Sequence, residues 1–476
     1  MFLQHSAKRG DTMAQGCKHR LPLVIRNVRI VNEGTITEGA LLIDAAGRIA
    51  QVSTGTLSLD PKRRYSLVDG KGQYLLPGVI DTHVHFRDPG FTHKGDIASE
   101  SRAAVAGGVT SFCDMPNTNP QTTTMEALRA KQASAAGRTH ANYAFYLGAT
   151  SDNLDEIRHC DANIVPAIKL FMGSSTGGMQ LTSEELVAAV FRESPLLIAT
   201  HCETDSMIAE QLEAARLAFP QGIPFSEHAH IRSTASCVKS IQLAQRLAQT
   251  YSARLHVLHL SAAEELALFT DPKLRAEGKI TCETCPHYLY FSDEDYDLLQ
   301  WQIKCNPAIK GTKDRAALIE ALKNGIIRTI GTDHAPHLVS EKLKDYEHSP
   351  SGIPSIQYSL LLMLNLAERE KIPFTQIVEL MSHAPARLFG IEERGYIREG
   401  YFADLVFIAA CEPRPLNSRG AESKCEWSPY DGMRTNYFVR RTLVNGKAAY
   451  CYVHGVQEPA GQPLSFNANR RDGKFV

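Results

Sequence analysis

The sequence predicts a (β/α)8 barrel, with a small β-sandwich domain that both ends of the chain build together. Three observations lead to this α/β fold class: eight short apolar runs in the middle of the chain, helix-like stretches between most of them, and alternating strand patterns near both ends. Near-continuous apolar strands that alternate with amphipathic helices are typical of a parallel sheet, and eight such units close into a barrel. A chain of 476 residues is long enough for one large barrel and a satellite domain.

The sandwich domain is predicted from short runs in which apolar and polar residues alternate. One group of runs extends from about Leu23 to Tyr74, and the same texture returns in ADLVFIAA and YFVRRTLVNGKAAYCYV near the other end. Asn445-Gly446, between two alternating runs, is a strong signal for a tight hairpin. We therefore expect an N-terminal tail over 1–22, the sandwich over 23–75 and 395–476, and the barrel over 76–394.

The barrel strands are expected at the eight apolar runs. In chain order these are YLLPGVIDTHVH, VTSFCDM, YAFYLGA, IVPAIKLF, LLIATHC, LHVLHL, ITCETC and RTIGTD. Between them, DIASESRAAVAGG, TMEALRAKQASAAG, TSEELVAAVFRE and CVKSIQLAQRLAQTY are typical of amphipathic helices.

Charge and composition argue against several classes of function. Lys plus Arg total 51 and Asp plus Glu total 52, so no net field favours nucleic acid or an anionic membrane. The apolar runs are far shorter than the ~20 residues of a membrane span. The basic, polar N-terminal tail lacks the apolar region of a secretory signal, while an organelle-targeting segment or a start at Met13 stays open. Eleven scattered cysteines indicate reduced thiols, and we expect a cytoplasmic protein.

Polar residues suited to metal binding fall at the ends of five predicted strands. The carboxyl ends of barrel strands face the active site, so side chains there are candidates for chemistry. Taken singly, such a histidine is more often a core residue, such a lysine a solvated one, and such an aspartate a helix cap. Their joint occurrence favours a metal site. The candidates are His83, His85, Lys169, His201, His259 and Asp333.

The motifs around these residues resemble the cyclic-amidase branch of the amidohydrolase superfamily, and within it the lysine-bearing dihydroorotases. The resemblance extends in order from about Val24 to Ile408. The motifs are GVIDTHVHFRDPG, MPNT, IKLFMGSSTG, ATHCE, HVLHLS, ETCPHYL, KCNPAIK and GTDHAPH.

The resemblance implies two divalent metal ions, for which zinc is expected. Lys169 would carry carbon dioxide as a carbamate, because an ammonium cannot bind metal whereas a carbamate is an anionic oxygen donor. His256 and His259 face opposite sides of a strand, and His259 is expected to bind because it lies at the strand end. The implied ligands are His83, His85 and Asp333 for the first ion, His201 and His259 for the second, and Lys169 as the bridge.

Arg87 follows the histidine pair and places a permanent positive charge close to the predicted metal site. A guanidinium binds a carboxylate bidentately, and among cyclic ureides only those with a carboxylate, such as dihydroorotate, need such a cation. A surface arginine in a loop is the alternative. The resemblance adds Asn117 and His337 as further donors to the carboxylate, and Asn306 near the ring.

The resemblance implies reversible hydrolysis of (S)-dihydroorotate to N-carbamoyl-L-aspartate, a step of de novo pyrimidine synthesis. A metal-bridged hydroxide would attack the ring amide, with Asp333 as general base and acid. The expected partner is this small anionic substrate, and a homodimer is a family-level expectation. Two alternatives stay open: another cyclic amidase (a hydantoinase, dihydropyrimidinase or allantoinase), or a non-catalytic dihydroorotase-like scaffold.

Two further features have plainer interpretations. Cys282 and Cys285 have the spacing of a metal site but no second pair, so strand packing is expected. The charged segment 338–352 is expected to be either a mobile active-site loop or a plain surface connection.

Overall fold

The structure is a computed structural model that describes residues 21–173, 178–417 and 420–467. Almost all of the predicted N-terminal tail, and part of the IKLFMGSSTG motif, lie outside these ranges. The fold is the predicted (β/α)8 barrel with a small β-sandwich domain formed by both chain ends. The division of the chain at residues 75 and 395 stays a prediction.

The described strands are distributed over one antiparallel-rich sheet and two parallel sheets. They are β1 (Leu23–Asn32), β2 (Thr35–Ile43), β3 (Ile49–Ser53), β4 (Ser66–Pro77), β5 (Val79–Val84), β6 (Val109–Asp114), β7 (Asn142–Phe145), β8 (Leu147–Gly148), β9 (Ile168–Phe171), β10 (Ile198–His201), β11 (Leu255–Val257), β12 (Ile280–Thr284), β13 (Thr329–Ile330), β14 (Leu405–Pro415), β15 (Arg434–Val444), β16 (Lys447–Cys451) and β17 (Gly455–Val456).

The described helices alternate with the barrel strands. They are α1 (Ile97–Ala106), α2 (Met125–Ala135), α3 (Leu154–Arg158), α4 (Glu184–Glu193), α5 (Asp205–Ala218), α6 (His228–Ile231), α7 (Thr234–Tyr251), α8 (Ala263–Ala267), α9 (Pro272–Glu277), α10 (Pro286–Tyr290), α11 (Tyr296–Leu299), α12 (Thr312–Lys323), α13 (Val339–Lys342), α14 (Ser359–Glu370), α15 (Phe374–Val378) and α16 (Ala384–Phe389). A π-helical turn at Glu379–His383 joins the last two. The helices predicted from sequence are confirmed as α1, α2, α4 and α7.

The barrel consists of β5 to β13, and each of the eight predicted apolar runs contains one of its strands. The third strand is interrupted at Tyr146 and therefore appears as β7 and β8. Neighbouring strands pair in parallel, and a parallel bridge between Val84 and His334 brings the first and last strands together. This closure places the carboxyl end of β5 beside the residues that follow β13. Gly78 permits the close packing of β5 on β6, because an added Cβ would lie 2.0 Å from Thr110 Oγ1.

The outer domain joins two distant parts of the chain in an eight-stranded sheet of order β17-β16-β15-β14-β4-β1-β2-β3. Its two halves meet where β14 pairs antiparallel with β4, with Val406 opposite Leu76. The hairpin predicted at Asn445-Gly446 is confirmed. It joins β15 to β16, and both residues have the positive φ, 52° and 67°, that a tight hairpin turn favours.

Two observations concern the thiols and the helices of the described residues. The described cysteines are thiols rather than disulfides, and Cys282 and Cys285 belong to the main hydrophobic core, in agreement with a packing role. None of the helices in the described ranges combines the length and the hydropathy needed to cross a membrane.

Candidate active site

One cleft contains most of the site residues predicted from sequence. Those that line it are His83, His85, Arg87, Asn117, Lys169, His201, His259, Asn306 and Asp333. Phe171, Ala335, Ser351 and Gly352 complete the lining. His337 is buried beside Arg87 rather than in the lining itself. Ser351 and Gly352, the last two residues of segment 338–352, bring the end of that segment to the cleft.

His83, His85 and Asp333 form one group that could hold a metal ion, with ligand atoms within 4.8 Å of one another. The Nε2 atoms of His83 and His85 lie 3.2 and 3.1 Å from the same Asp333 oxygen. Asp333 has a left-handed backbone, with φ of 46°, which is a strained conformation for this residue. Burial alone would raise the pKa of Asp333, but the imidazoles of His83 and His85 hold it well below its usual range.

Lys169, His201 and His259 line the same cleft. His201 Nδ1 lies 2.9 Å from His259 Nε2, and the rings of His83 and His259 have centroids 5.3 Å apart. Burial lowers the pKa of Lys169 to about 8. Among the described residues, no carboxylate oxygen lies within 4.0 Å of the Lys169 amine. A substantial fraction of this amine is therefore neutral near pH 8, and only the neutral form can react with carbon dioxide.

The donor set fits a divalent metal centre. Two imidazole nitrogens converge on one carboxylate oxygen, and two further imidazoles meet a short distance away. His259 Nδ1 is buried without a hydrogen-bond partner among the described residues. Imidazole with carboxylate oxygen is the donor combination that zinc and similar ions prefer.

Arg87 provides a buried positive charge at this cleft. Its side chain is 4% exposed, Nε donates to the Pro336 carbonyl at 3.2 Å, and one terminal nitrogen lies 3.0 Å from His337 Nε2. In the described ranges no carboxylate oxygen lies within 4.0 Å of the guanidinium. Burial lowers the pKa of Arg87 to about 10, which still leaves it charged at pH 7. A buried cation with no carboxylate in direct contact is a favourable place for an anionic ligand.

Residues 74–449 match the profile described as the amidohydrolase family. The chain belongs to that family. Members typically bind metal ions, in agreement with the cluster of His83, His85 and Asp333.

Two archaeal relatives and one solved structure cover most of this amidohydrolase. The chain is 33% identical to a Halobacterium salinarum protein named dihydroorotase, over 80% of this chain and 88% of the relative. It is 30% identical to a Methanosarcina acetivorans protein of the same name, over 90% and 91%. It also superposes on the L-hydantoinase (dihydropyrimidinase) from Arthrobacter aurescens with a TM-score of 0.87 and 28% identity, covering 94% of this chain and all of the other.

Two buried glutamates of the amidohydrolase orient its imidazoles, and sequence reasoning missed both. Glu283 Oε1 lies 2.6 Å from His83 Nδ1, and Glu203 Oε2 lies 2.9 Å from His201 Nε2. In most metal sites a ligating histidine has its other ring nitrogen hydrogen-bonded, and that bond fixes its tautomer and its orientation. The sequence does contain a signal for these glutamates. Each lies in or directly after an apolar strand, where a charge needs a partner because burying it alone is costly; the motifs are ETC and THCE.

His256 and His259 have separate surroundings, although they are close in sequence. His256 Nδ1 lies 2.8 Å from Thr281 Oγ1, its Nε2 lies 3.3 Å from Glu283, and the residue is fully buried. His259 lines the cleft. Asn117 Oδ1 lies 2.8 Å from His85 Nδ1, so Asn117 also orients an imidazole, which adds to its predicted contact with a substrate.

Proposed function

We propose that this amidohydrolase is a dihydroorotase, which interconverts (S)-dihydroorotate and N-carbamoyl-L-aspartate in pyrimidine synthesis. The observation that carries the proposal is the buried guanidinium of Arg87, which has no carboxylate oxygen of the described residues within 4.0 Å and lies in a cleft with metal-binding residues. Dihydroorotate differs from neutral cyclic ureides by a ring carboxylate, which a guanidinium binds bidentately. The names of the two archaeal relatives support the same substrate class.

The proposed site takes two divalent ions, and zinc is the expected metal. Bound metal would supply Lewis acidity to the ring amide carbonyl and to the attacking water. Lys169 would carry carbon dioxide as a carbamate that helps to hold the metal, and its pKa of about 8 supports this modification. The remaining proposed ligands are His83, His85 and Asp333 on one side, and His201 and His259 on the other.

The side chains of the protein would orient the ring and move one proton. Arg87 would bind the carboxylate, helped by Asn117 and His337, while Asn306 would contact the ring. Asp333 is ionised at neutral pH, so its carboxylate can accept the proton of the attacking water. The same oxygen would then deliver that proton to the ring nitrogen as the amide bond breaks. Ring closure uses these steps in reverse.

Hydantoin hydrolysis is the second candidate, because the fold superposes closely on an L-hydantoinase. Hydantoin itself carries no carboxylate, so a site built for it would leave the buried Arg87 guanidinium without a carboxylate in direct contact. That cost favours the dihydroorotase proposal.

A substrate panel with metal analysis tests the proposal. Metal-replete protein is assayed on dihydroorotate, dihydrouracil, hydantoin and allantoin, and its metal content is measured in the same preparation. We expect kcat/KM for dihydroorotate to exceed that for dihydrouracil by at least about tenfold, the contribution of one hydrogen bond to a charged group. Turnover of hydantoin or allantoin without dihydroorotate would replace the proposal with the second candidate. Inactivity of metal-loaded protein on all four compounds would favour a scaffold role.

A further inference from the structure

His337 lies between two groups with opposite requirements for its Nδ1 atom. Lys94 Nζ lies 3.1 Å from Nδ1, and Glu341 Oε2 lies 3.7 Å from the same atom, beyond hydrogen-bond distance. An ammonium can only donate, so Nδ1 must accept from Lys94 and cannot carry a hydrogen. Lys94 Nζ also forms a salt bridge with Glu341 at 3.2 Å, so this carboxylate has a partner other than His337. The contact with Lys94 therefore favours the tautomer that has its hydrogen on Nε2.

The other ring nitrogen, Nε2, therefore carries the hydrogen. It lies 3.1 Å from the Ser351 carbonyl oxygen, which can only accept, and this contact requires the same tautomer. Nε2 also lies 3.0 Å from a terminal nitrogen of Arg87, which can only donate. Hydrogen on Nε2 satisfies the contacts with Lys94 and Ser351, whereas hydrogen on Nδ1 would satisfy only the contact with Arg87. With hydrogen on Nε2, this nitrogen and Arg87 are two donors that cannot bond to each other, but both can bond to one anionic oxygen placed beside them.

We propose that Lys94 selects the His337 tautomer that donates from Nε2, and so makes His337 a donor to the substrate carboxylate beside Arg87. Lys94 is a positioning residue, since it acts through His337. Without it, Glu341 would be the nearest partner of Nδ1 and would require a hydrogen there. Nε2 would then present a lone pair, which accepts from Arg87 and repels an anion. This inference rests on the proposed function, because it assumes a substrate with a carboxylate.

Kinetics of Lys94→Met, with Lys424→Met as the matched control, test the consequence for substrate binding. Lys424 Nζ donates to the Thr92 carbonyl at 2.6 Å and pairs with Asp96 at 3.1 Å. The control substitution therefore removes a nearby lysine whose contacts do not involve His337. In Lys94→Met, KM for dihydroorotate should rise about tenfold, and kcat should change less than about threefold. KM for dihydrouracil should not change, and Lys424→Met should resemble the wild type. Lys94→Arg keeps a charged donor and should recover part of the loss.

Nitrogen-15 NMR of histidine-labelled protein reads the tautomer without any substrate. The His337 signals, assigned by their absence in His337→Gln, should show hydrogen on Nε2 in the wild type and a shift toward Nδ1 in Lys94→Met. An unchanged tautomer in Lys94→Met, or equal KM increases on both rings, would overturn the inference. If the tautomer shifts but the wild type does not hydrolyse dihydroorotate, the proposed function fails and control of the tautomer by Lys94 stands.

Discussion

Replacing Arg87 with methionine removes the charge of the proposed anion site while keeping a long apolar stem. The guanidinium is buried, and its Nε donates to the Pro336 carbonyl at 3.2 Å. Its pKa of about 10 leaves it charged at neutral pH. A buried charge with no carboxylate in direct contact costs stability in the free protein, and this cost falls when an anion binds. The substitution should therefore affect substrate binding far more than folding.

The size of the effect follows from the bonds that are lost. A hydrogen bond to a charged group contributes about 1.5–3 kcal/mol, which corresponds to about 10- to 150-fold in kcat/KM. We expect a loss of this size for dihydroorotate and less than about threefold for dihydrouracil, which lacks the carboxylate. The lost bond to the Pro336 carbonyl is worth about 1 kcal/mol and is offset by removal of the buried charge. The melting temperature should thus change by less than about 4 °C.

The assay compares both rings at pH 7, with metal content and melting temperature measured on each variant. Arg87→Lys should recover only part of the activity, because an ammonium cannot reproduce the planar fork. Arg158→Met is the control, since Arg158 is a partly exposed arginine of α3 that pairs with Glu193 at 3.0 Å. Equal losses on both rings, or loss of metal from Arg87→Met, would refute the reasoning. Arg87 would then support the metal site or its loop, and the choice of dihydroorotate would lose its main support.

Three further predictions concern the metal centre. Asp333→Asn should keep most of its metal but lose about 10²- to 10⁴-fold in kcat, and near-normal turnover of the loaded variant would exclude the proton transfer. Lys169→Ala should lose metal and activity, and short carboxylic acids should restore some of each. The carbamate of metal-free wild type can be followed by its carbon-13 signal at a fixed concentration of dissolved carbon dioxide. This signal should grow as the pH rises through about 8, because the fraction of Lys169 with a neutral amine increases. A signal that persists in Lys169→Ala would belong to another amine. Glu283→Gln should weaken metal binding about 10- to 100-fold by loosening His83, as measured by competition with a chelator, and unchanged affinity would make Glu283 a purely structural residue.

The strand ends of the barrel could be predicted because each apolar run is short and is followed by polar residues with recognisable chemistry. His83 and Asp333 illustrate this, since each marks the end of a run before any pairing is known. The contact between His83 and Asp333 depends on closure of the barrel. Closure follows from the number of βα units and cannot be predicted from the local sequence pattern. The resemblance to known enzymes was needed to divide the six candidate ligands between two ions.

The supporting residues were harder to predict. Glu283 lies in the middle of an apolar run, and only the structure identifies His83 as its partner. Lys94 lies in the polar stretch FTHKGD, where a lysine is usually solvated. Its contact with His337 exists because the first and last barrel strands are neighbours, and nothing in the local sequence indicates that proximity.

The pairing of β14 with β4 has a consequence for how the protein is made. About 330 residues separate Pro77 from Leu405, so a ribosome needs about 15–65 s to reach β14 after finishing β4. During that interval one edge of β4 is unpaired. Its apolar side chains, such as Leu75 and Leu76, are buried in the finished protein but exposed to solvent at this stage. Unpaired edges of this kind promote association between nascent chains. The domain that emerges first is thus completed last, and the yield of folded enzyme should depend on protecting its N-terminal strands while the barrel is synthesised.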